Sequence, residues 1–310
     1  MKDNRDNQIH IDGVININKE KGFTSHDVVA KLRGILKIKK IGHTGTLDPD
    51  AQGVLPVCIG SATKLCDFIM EKDKEYRAKL VLGLQTDTQD TSGKRLNTSD
   101  HYKVLSEAQI IDAIQSFVGE YEQLPPMYSA VKVNGKKLYE LAREGIEVER
   151  KRRKVKIYSI DIESIRLPDI RLVVRCSRGT YIRTLCEDIG NRLNTYGCMG
   201  ELLRTASGKF CLTDSIKISE AENLFKTDMQ KFLKRIIPAD EILSDFGRVQ
   251  VGEPYTKLLL NGNKLTTDML DGAEKPYGEL VRIYDSQHRF IAVYRYIESE
   301  GSLKPEKMFV

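Results

Sequence analysis

Apolar residues recur at helical spacing in three stretches of the chain. The first follows Thr24 and Asp27, which have the spacing of a capping box. The second predicts a helix over Ser106–Val118, with its first residue as the N-cap and Gly119 as its stop. The apolar faces of the three helices contain Val28, Val29, Leu32, Ile35 and Leu36; Ile110, Ile111, Ile114, Phe117 and Val118; and Ile182, Leu185, Cys186, Ile189 and Leu193.

Between these helices, shorter apolar and alternating runs predict β-strands. The segments GVINI, Tyr76–Leu84 and Leu172–Ser177 have this character. From Val249 onward, short strands alternate with turn signals at Asn261-Gly262 and Asp271-Gly272. We refer to Val249–Val310 as the C-terminal module, and we predict that it is a small β-rich unit joined to the rest of the chain near residues 238–247.

Composition limits the size of the protein and the charge of its partners. The chain has 310 residues, of which 40% are hydrophobic, and this length is sufficient for two domains. The net charge of +5 is unevenly distributed, because the C-terminal module holds eight basic and nine acidic residues. The first 248 residues therefore carry +6 and the module carries −1. We expect a negatively charged partner to bind upstream of the module.

The sequence lacks the patterns of metal-binding, secreted and membrane proteins. Six cysteines are scattered without a C-x-x-C pair, and the five histidines do not cluster beside them, so we expect buried thiols and no zinc site. The longest uncharged stretch, Ala51–Thr63, is too short for a membrane-spanning helix, which needs about 20 apolar residues. The polar first ten residues do not resemble a signal peptide. We expect a soluble protein of the reducing cytoplasm.

A glycine-punctuated loop, Gly42–Gly60, presents an acidic side chain in a stiff setting. Pro49 disfavours helical geometry at Asp48, and the apolar end of the loop anchors it on a buried segment. The plainer alternative is an ordinary surface Asp-Pro turn. Arg183 begins the third predicted helix, off its apolar face, and could align the carboxylate through a paired hydrogen bond. A capping arginine in a surface salt bridge is the alternative, and only a contact with Asp48 distinguishes the two.

Two further features indicate a nucleic-acid partner. Tyr76 opens a predicted strand, where its ring could stack on a base or lie half-buried with its hydroxyl at the surface. The turn-rich excursion Leu124–Arg153 leads into a block with six positive residues in seven, at Arg150–Lys156. Because few acidic residues are interleaved, we expect this region to bind a polyanion in a salt-dependent way.

Five segments, in the same order, resemble the bacterial tRNA pseudouridine-55 synthase (TruB) family. They are GHTGTLDPDAQGVLPVCIGSATK, Tyr76 with LGLQTDTQDTSG, PPMYSAVKVNGKKLYELAREG, RGTYIRT and GELLRTASGKF. The resemblance runs from about Gly13 to about Thr213. It implies an α+β pseudouridine-synthase fold, a mixed sheet flanked by helices. The implied parts are a catalytic domain at residues 9–240, an inserted basic thumb at about residues 124–153 and a PUA-like C-terminal domain at residues 249–310.

The resemblance also implies a reaction and a substrate. Uridine 55 in the T-loop of tRNA would be isomerised to pseudouridine: the N1–C1′ bond breaks, the uracil turns, and C5 bonds to C1′. The target nucleotide is flipped out of its stack first. The resemblance implies neither a cofactor nor a metal. It implies a monomer that acts on the tRNA T stem-loop without an obligate protein partner.

Roles follow residue by residue from the matching motifs. Asp48 corresponds to the nucleophile, which attacks C1′ of the ribose or C6 of the base, and the sequence leaves both routes open. Tyr76 corresponds to the residue that stacks on the flipped uracil and is placed for proton transfer at C5, and Arg183 to the partner of the nucleophile. The implied substrate-binding residues are His43, Tyr181 and Leu202, and the implied RNA-binding residues of the thumb are Lys132, Arg150, Arg152 and Arg153.

The chain departs from the family pattern at Asp50, where an apolar residue is expected. Two carboxylates in one low-dielectric pocket would resist ionisation together, so we expect Asp50 to point outward. The C-terminal module matches the PUA pattern loosely, and we expect its removal to weaken RNA binding while leaving slow activity.

Two other classes of protein compete with this interpretation. One is an RNA-binding or RNA-folding module without turnover, although pure binding has no use for a buried nucleophile. The other is a guide-RNA-directed relative of the dyskerin type. Proteins of that type carry longer extensions and depend on partner proteins.

Overall fold

The computed structural model describes residues 11–271 and 278–310. Its body is a ten-stranded sheet with two small hairpins. The strands of the body are β1 (Gly13–Lys19), β2 (Ile41–His43), β3 (Gln52–Ile59), β4 (Lys74–Leu82), β5 (Leu84–Thr86), β6 (Arg95–Thr98), β7 (Gly119–Gln123), β8 (Lys132–Val133), β9 (Lys136–Lys137), β10 (Arg153–Arg166), β11 (Asp169–Cys176), β12 (Gly197–Ser207), β13 (Phe210–Cys211) and β14 (Ile236–Ile237).

The C-terminal module contributes a second, six-stranded sheet. The first strand of this sheet, β15 (Gly247–Val251), begins two residues before the predicted start of the module. The other strands are β16 (Leu265–Thr266), β17 (Leu270–Asp271), β18 (Leu280–Tyr284), β19 (Phe290–Ile297) and β20 (Ser302–Met308). The helices of the described residues are α1 (Ser25–Leu36), α2 (Cys66–Met70), α3 (Glu107–Gln115), α4 (Leu138–Arg143), α5 (Ile182–Arg192), α6 (Ile218–Thr227), α7 (Met229–Leu233), α8 (Ala239–Ile242) and α9 (Thr256–Leu260).

The sheet of the body is mixed, as the family resemblance implies. Its strands run in the order β14-β1-β3-β12-β4-β11-β10-β7, with β2 beside β3 and β13 beside β12. The pair β3 and β12 is parallel, and the other neighbours in this order are antiparallel. Strands β5 and β6 form one separate hairpin and β8 and β9 another. No helix among the described residues is long and apolar enough to cross a membrane.

Strands β1 and β3 are buried on both faces, which explains their nearly continuous apolar sequence. Successive side chains of a strand point to opposite faces. One set, which includes Ile15, Ile17 and Leu55, belongs to an apolar cluster with α1, α6 and α7. The alternate set, which includes Val14 and Val54, belongs to a cluster with α2 and with the C-terminal module. The C-terminal module therefore covers one face of the central sheet.

Strands β4 and β11 alternate in the usual amphipathic way. Alternate apolar residues of both strands pack under α3 and α5, while Arg77 and Arg171 of the same strands are exposed. Tyr76 belongs to the buried set of β4. The strand pattern thus places this ring at the boundary between the core and the loop that carries Asp48.

The second predicted helix is shorter than the sequence pattern indicates. Ser106 caps α3 in a complete capping box, but α3 ends at Gln115. Ile111 and Val118 are exposed rather than part of its buried face. Gly119 does not end the helix; it adopts a φ of +110° as the first residue of β7. Phe117 and Val118, the last apolar residues of the pattern, lie in the turn that connects α3 to β7.

The strand predicted at Tyr76–Leu84 is divided in two. Gly83 separates β4 from β5 with a φ of +80°, and a Cβ atom at this position would lie 2.5 Å from the carbonyl oxygen of Ser99. The close approach of another backbone segment therefore requires glycine here. Strand β4 also begins two residues earlier than predicted, at Lys74.

The C-terminal module is β-rich, as predicted, and its apolar segments LVRIYD and FIAVYRYI contain β18 and β19. The turn predicted at Asn261-Gly262 follows the short helix α9, and Gly262 has a φ of +68°. The turn predicted at residues 271–272 runs outside the described residues. The polar N-terminal segment and the first two residues of the predicted catalytic domain also lie outside them.

Candidate active site

The loop between β2 and β3 carries Asp48 at the edge of the core. Leu47 and Ala51, on either side of it, are buried in the same apolar cluster as Tyr76. The amide of Ala51 donates to the carbonyl oxygen of Asp48 at 3.1 Å, which closes a tight turn with Pro49 as its second residue. The buried neighbours and the turn together fix the backbone on both sides of the carboxylate.

Two buried side chains from the N-terminal part of the chain hold this loop. The hydroxyl of Ser25 accepts from the amide of Leu47 at 2.9 Å. The ammonium of Lys19 donates to the carbonyl oxygens of Pro49 at 3.1 Å and Phe23 at 2.6 Å. Burial lowers the pKa of Lys19 to about 8. The position of Asp48 therefore depends on β1 and on the start of α1.

Arg183 contacts both carboxylate oxygens of Asp48. Its Nε lies 2.9 Å from Oδ2, and its Nη2 donates to Oδ1 at 3.1 Å. The same guanidinium donates to the carbonyl oxygens of Thr88, at 2.9 Å, and Tyr128, at 2.7 Å. It is only 4% exposed. The surface salt bridge considered as an alternative is therefore wrong, because this arginine is buried and joins three loops.

Burial and the ion pair act on the Asp48 carboxyl in opposite directions. Burial raises the pKa of Asp48, and the positive charge of Arg183 opposes that rise. The negative charge of Asp90 adds to it. The paired contact with Arg183 therefore favours the ionised form of Asp48, which burial disfavours.

Tyr76 lies beside this ion pair on β4. It is 9% exposed, so its ring is buried rather than half-buried. Burial raises the pKa of its hydroxyl, and the nearby Arg204 guanidinium opposes that rise. The negative charge of Asp48 also acts on this hydroxyl. Tyr76 also shares an apolar cluster with Leu47 and Ile182, the chain neighbours of Asp48 and Arg183, so the three residues belong to one site.

The three expected substrate-binding residues lie on three different elements. His43 ends β2, and its buried Nδ1 has no hydrogen-bond partner among the described residues. Tyr181 caps α5, and its amide donates to the Gln123 side chain at 2.7 Å. Leu202, on β12, is partly buried against the cluster that contains Tyr76.

The thumb, residues 124–153, lies outside the main sheet except for Arg153, which begins β10. Lys132 is exposed on β8, and Arg153 is exposed and acts electrostatically on Tyr181. Arg150 instead donates to the carbonyl oxygen of Pro125 at 3.1 Å and pairs with Glu147. Arg152 donates to the carbonyl oxygen of Glu122 at 3.0 Å. Two of the four expected RNA-binding residues are therefore used to shape the thumb and its base.

Asp50 points away from the site, which confirms the prediction. Its side chain is 55% exposed and lies 3.9 Å from the ammonium of Lys21. Asp48 is thus the acidic residue of this turn that faces Arg183. Across residues 11–271 and 278–310, no cluster of histidine, cysteine, aspartate and glutamate side chains has the arrangement of a metal site.

The site contains groups that the sequence argument did not single out. Lys19 supports the loop of Asp48, and the carbonyl oxygens of Thr88 and Tyr128 accept hydrogen bonds from Arg183. Arg204, on β12, is fully buried beside Tyr76. Thr88, Tyr128 and Arg204 lie within the motifs that match the family. The type of a residue, however, does not indicate whether its backbone carbonyl will accept a hydrogen bond.

Two family models match consecutive parts of the chain. The model for the TruB family pseudouridylate synthase N-terminal domain matches residues 33–182, and the model for the tRNA pseudouridylate synthase B C-terminal domain matches residues 183–244. The boundary between them falls immediately before Arg183, so the ion pair joins the two matched regions. Both regions belong to the body rather than to the C-terminal module.

Solved structures with a similar fold come from multi-component complexes. A chain of a Cbf5-Nop10-Gar1 complex aligns with a TM-score of 0.72 and 30% identity over 96% of this chain and 85% of that chain. A chain of an H/ACA RNP bound to a substrate RNA aligns with a TM-score of 0.71 and 27% identity, with the same coverage.

Relatives in sequence are more similar and match over nearly their full length. The tRNA pseudouridine synthase B of Clostridium kluyveri is 48% identical over 97% of this chain and 100% of the relative. The protein of the same name from Clostridium tetani is 47% identical over 91% of this chain and 95% of the relative. The motifs, the fold and these matches agree, and the chain belongs to the TruB family of pseudouridylate synthases.

Proposed function

We propose that this protein converts uridine 55 in the T-loop of tRNA to pseudouridine, with Asp48 as its nucleophile. The observation that carries the proposal is the contact of both Asp48 oxygens with the buried Arg183, beside Tyr76, in a member of this family. A purely RNA-binding protein would gain nothing from a carboxylate held in a site that disfavours its charge. A surface Asp-Pro turn would need no buried arginine.

The reaction is an isomerisation in which atoms and electrons balance within the substrate. The N1–C1′ bond breaks and its electron pair leaves with the uracil; C5 then bonds to C1′. The proton on C5 is lost, and N1 takes up a proton. Because no electrons are gained or lost overall, the proposed reaction requires no redox cofactor and no energy input. We extend this proposal to a reaction without any cofactor or metal.

The residues of the site have separate roles in this proposal. Asp48 attacks either C1′ of the ribose or C6 of the base, and Arg183 keeps it ionised and aimed. Tyr76 stacks on the flipped uracil, with its hydroxyl placed for proton transfer at C5. Because the base is stacked inside the T-loop, it must leave the stack before it can reach Asp48. His43, Tyr181 and Leu202 line the space that receives it.

The thumb and the charge distribution support a tRNA stem-loop as the bound substrate. Of the four expected RNA-binding residues of the thumb, Lys132, Arg152 and Arg153 are exposed. Arg152 donates to a backbone carbonyl, so we assign Lys132 and Arg153 to phosphate contacts. The relatives that match over nearly all of their length carry the name tRNA pseudouridine synthase B. We therefore favour a monomer that acts on tRNA in the cytoplasm without a guide RNA or obligate protein partner.

Asp48→Asn on an unmodified tRNA transcript tests the proposal. We expect the wild-type protein to form pseudouridine at position 55, mapped by carbodiimide treatment and primer extension. The variant should bind the transcript but form no product, because an amide is a poor nucleophile. Product from Asp48→Asn would refute the nucleophile assignment, and product at another position would refute the site in tRNA. Asp50→Asn is the matched control, because that carboxylate points to solvent.

A further inference from the structure

Arg204 has an unusual environment for a charged residue. It lies on β12, directly opposite Tyr76 in the register of the neighbouring strand β4, so the two side chains share one face of the sheet. It is 1% exposed and is among the largest fully buried side chains of the described residues. Its Nε donates to the carbonyl oxygen of Val54 at 2.7 Å. A strand position and a strong hydrogen bond therefore fix this guanidinium.

The charge of Arg204 is not neutralised by an ion pair in the described part of the chain. A buried arginine usually pairs with a carboxylate, because an isolated buried charge is costly. Here the Nη2 atom is buried and has no hydrogen-bond partner among the described residues. The Nη1 atom lies 3.7 Å from the position that a Cβ atom of Gly45 would take. The uncompensated charge thus lies against the loop that carries Asp48.

This charge acts on several groups of the site. Burial lowers the pKa of His43, and Arg204 lowers it further, which favours the neutral imidazole. Burial likewise lowers the pKa of Lys19, and Arg204 adds to the effect. At the Tyr76 hydroxyl, where burial disfavours negative charge, Arg204 favours it. The groups that act on this hydroxyl are Arg204, Cys176 and Asp48, and Arg204 is the cation among them.

The proposed reaction develops negative charge that a buried cation would stabilise. Cleavage of the N1–C1′ bond leaves its electron pair on the uracil, which then carries negative charge while it stacks on Tyr76. A fixed positive charge in a dry site stabilises charge that develops during a reaction, because no solvent has to reorganise. Arg183 is committed to Asp48 and to two backbone carbonyls, so its charge is already used.

We propose that Arg204 is a positioning residue of the reaction, which holds Tyr76 against the flipped uracil and whose unpaired charge acts on the departing base by favouring negative charge at the Tyr76 hydroxyl. This inference rests on the proposed function. It assigns to Arg204 an effect on turnover that passes through Tyr76 and does not involve contact with RNA. The hydrogen bond to Val54 alone would make Arg204 merely structural, and the two roles predict different results for lysine and glutamine at this position.

Single-turnover rates of Arg204→Gln and Arg204→Lys on tRNA transcript distinguish these roles. We expect Arg204→Gln to bind tRNA with the wild-type Kd and to react about 100-fold more slowly, the loss typical of one removed electrostatic group. Arg204→Lys keeps the charge but loses the planar fork, so it should restore most of the rate. Arg77→Gln is the matched control, because Arg77 follows Tyr76 on β4 but is exposed and pairs with Glu163.

A double-mutant comparison with Tyr76→Phe tests whether Arg204 acts through Tyr76. If it does, the double variant should be no slower than the slower single variant, whereas multiplied effects would contradict the inference. A folded Arg204→Gln with the wild-type rate, or a folded Arg204→Lys as slow as Arg204→Gln, would also overturn it. If Arg204→Gln does not fold, the rate of Arg204→Lys decides. Failure of the wild-type protein to convert uridine 55 would instead refute the proposed function.

Discussion

The thumb and the C-terminal module both stand outside the main sheet, but they are attached to it by different physical means. The thumb is joined to the site through polar contacts. Arg183, which holds Asp48, also donates to the carbonyl oxygen of Tyr128 at 2.7 Å. At the other end of the thumb, Arg150 donates to the carbonyl oxygen of Pro125. The position of the thumb is therefore linked to the arginine that keeps the nucleophile in place.

The C-terminal module is joined through an apolar core. Val293 and Phe309 of the module are buried in one cluster with Val14 and Val54 of the central strands. A salt bridge between Lys307 and Asp67 lies at the same junction. Charge plays a small part here, in keeping with the nearly neutral composition of the module.

This difference separates stability from activity. Burial of apolar surface is the main favourable contribution to folding, so damage to the module should unfold the protein. Polar contacts contribute little net stability but fix geometry, so damage at the base of the thumb should slow the reaction in a folded protein.

Deletion of Val249–Val310 should have the largest effect. The sequence alone favoured a separable module whose loss costs affinity and leaves slow activity. The shared core changes this expectation, because the truncated chain would expose Val14, Val54 and their neighbours to water. We expect it to lose its cooperative thermal unfolding transition and to aggregate. A soluble truncated protein with the wild-type melting temperature would show that the two regions fold independently.

A point variant makes the same test without removing the module. Phe309→Ala should lower the free energy of unfolding by about 3 kcal/mol, the lower range for removing a buried ring. Val310→Ala is the matched control, because Val310 is 61% exposed and such changes usually alter stability by less than about 0.5 kcal/mol. Chemical denaturation measures both values.

Arg183→Lys should have the next largest effect, on activity rather than on folding. Lysine cannot reproduce the two-oxygen contact with Asp48 together with the bonds to Thr88 and Tyr128. We expect the single-turnover rate to fall by about 100-fold or more, as for loss of one preorganised electrostatic group. Limited proteolysis should also cut the thumb faster than in the wild-type protein.

The end of the same helix provides the control for Arg183→Lys. Arg192 is exposed in the last turn of α5, and Arg192→Lys should leave both the rate and the proteolysis pattern unchanged. If Arg183→Lys reacts slowly but its thumb is cut at the wild-type rate, then Arg183 does not link the position of the thumb to Asp48.

The sequence was sufficient to identify Asp48 and Arg183 as residues that meet at the site. It was not sufficient to identify the contacts that hold them in place. The motif positions of Asp48 and Arg183 are 135 residues apart, yet the structure brings them into contact. The local signals worked because a capping box or a glycine turn is made by residues close in the chain. The length of α3 was wrong because its last apolar residues follow the turn into β7 rather than the helical period.

Long-range packing escaped the sequence argument. Val14 and Phe309 pack in one cluster because the C-terminal module covers one face of β1. The apolar sequence of β1 shows that this face is buried but not which part of the chain buries it. Arg204 was hidden for a similar reason. A lone arginine in a strand suggests an exposed face, whereas here it lies opposite Tyr76 with its charge buried. Neighbours across a sheet, not neighbours in sequence, decide its environment.

The smallest expected effect concerns the salt dependence of tRNA binding. Lys132 and Arg153 of the thumb are exposed, so the double variant Lys132→Gln, Arg153→Gln should remove two phosphate contacts. The slope of log Kd against log salt concentration should fall by about 2, about 1 for each lost contact, and the loss of affinity should be largest at low salt. Lys264→Gln in the C-terminal module, where Lys264 pairs with Glu300, is the control and should leave the slope unchanged. Filter binding over a salt series measures both slopes. An equal fall for the module variant would mean that both regions bind phosphate, and the contrast between a polar, RNA-binding thumb and an apolar, stabilising module would no longer hold.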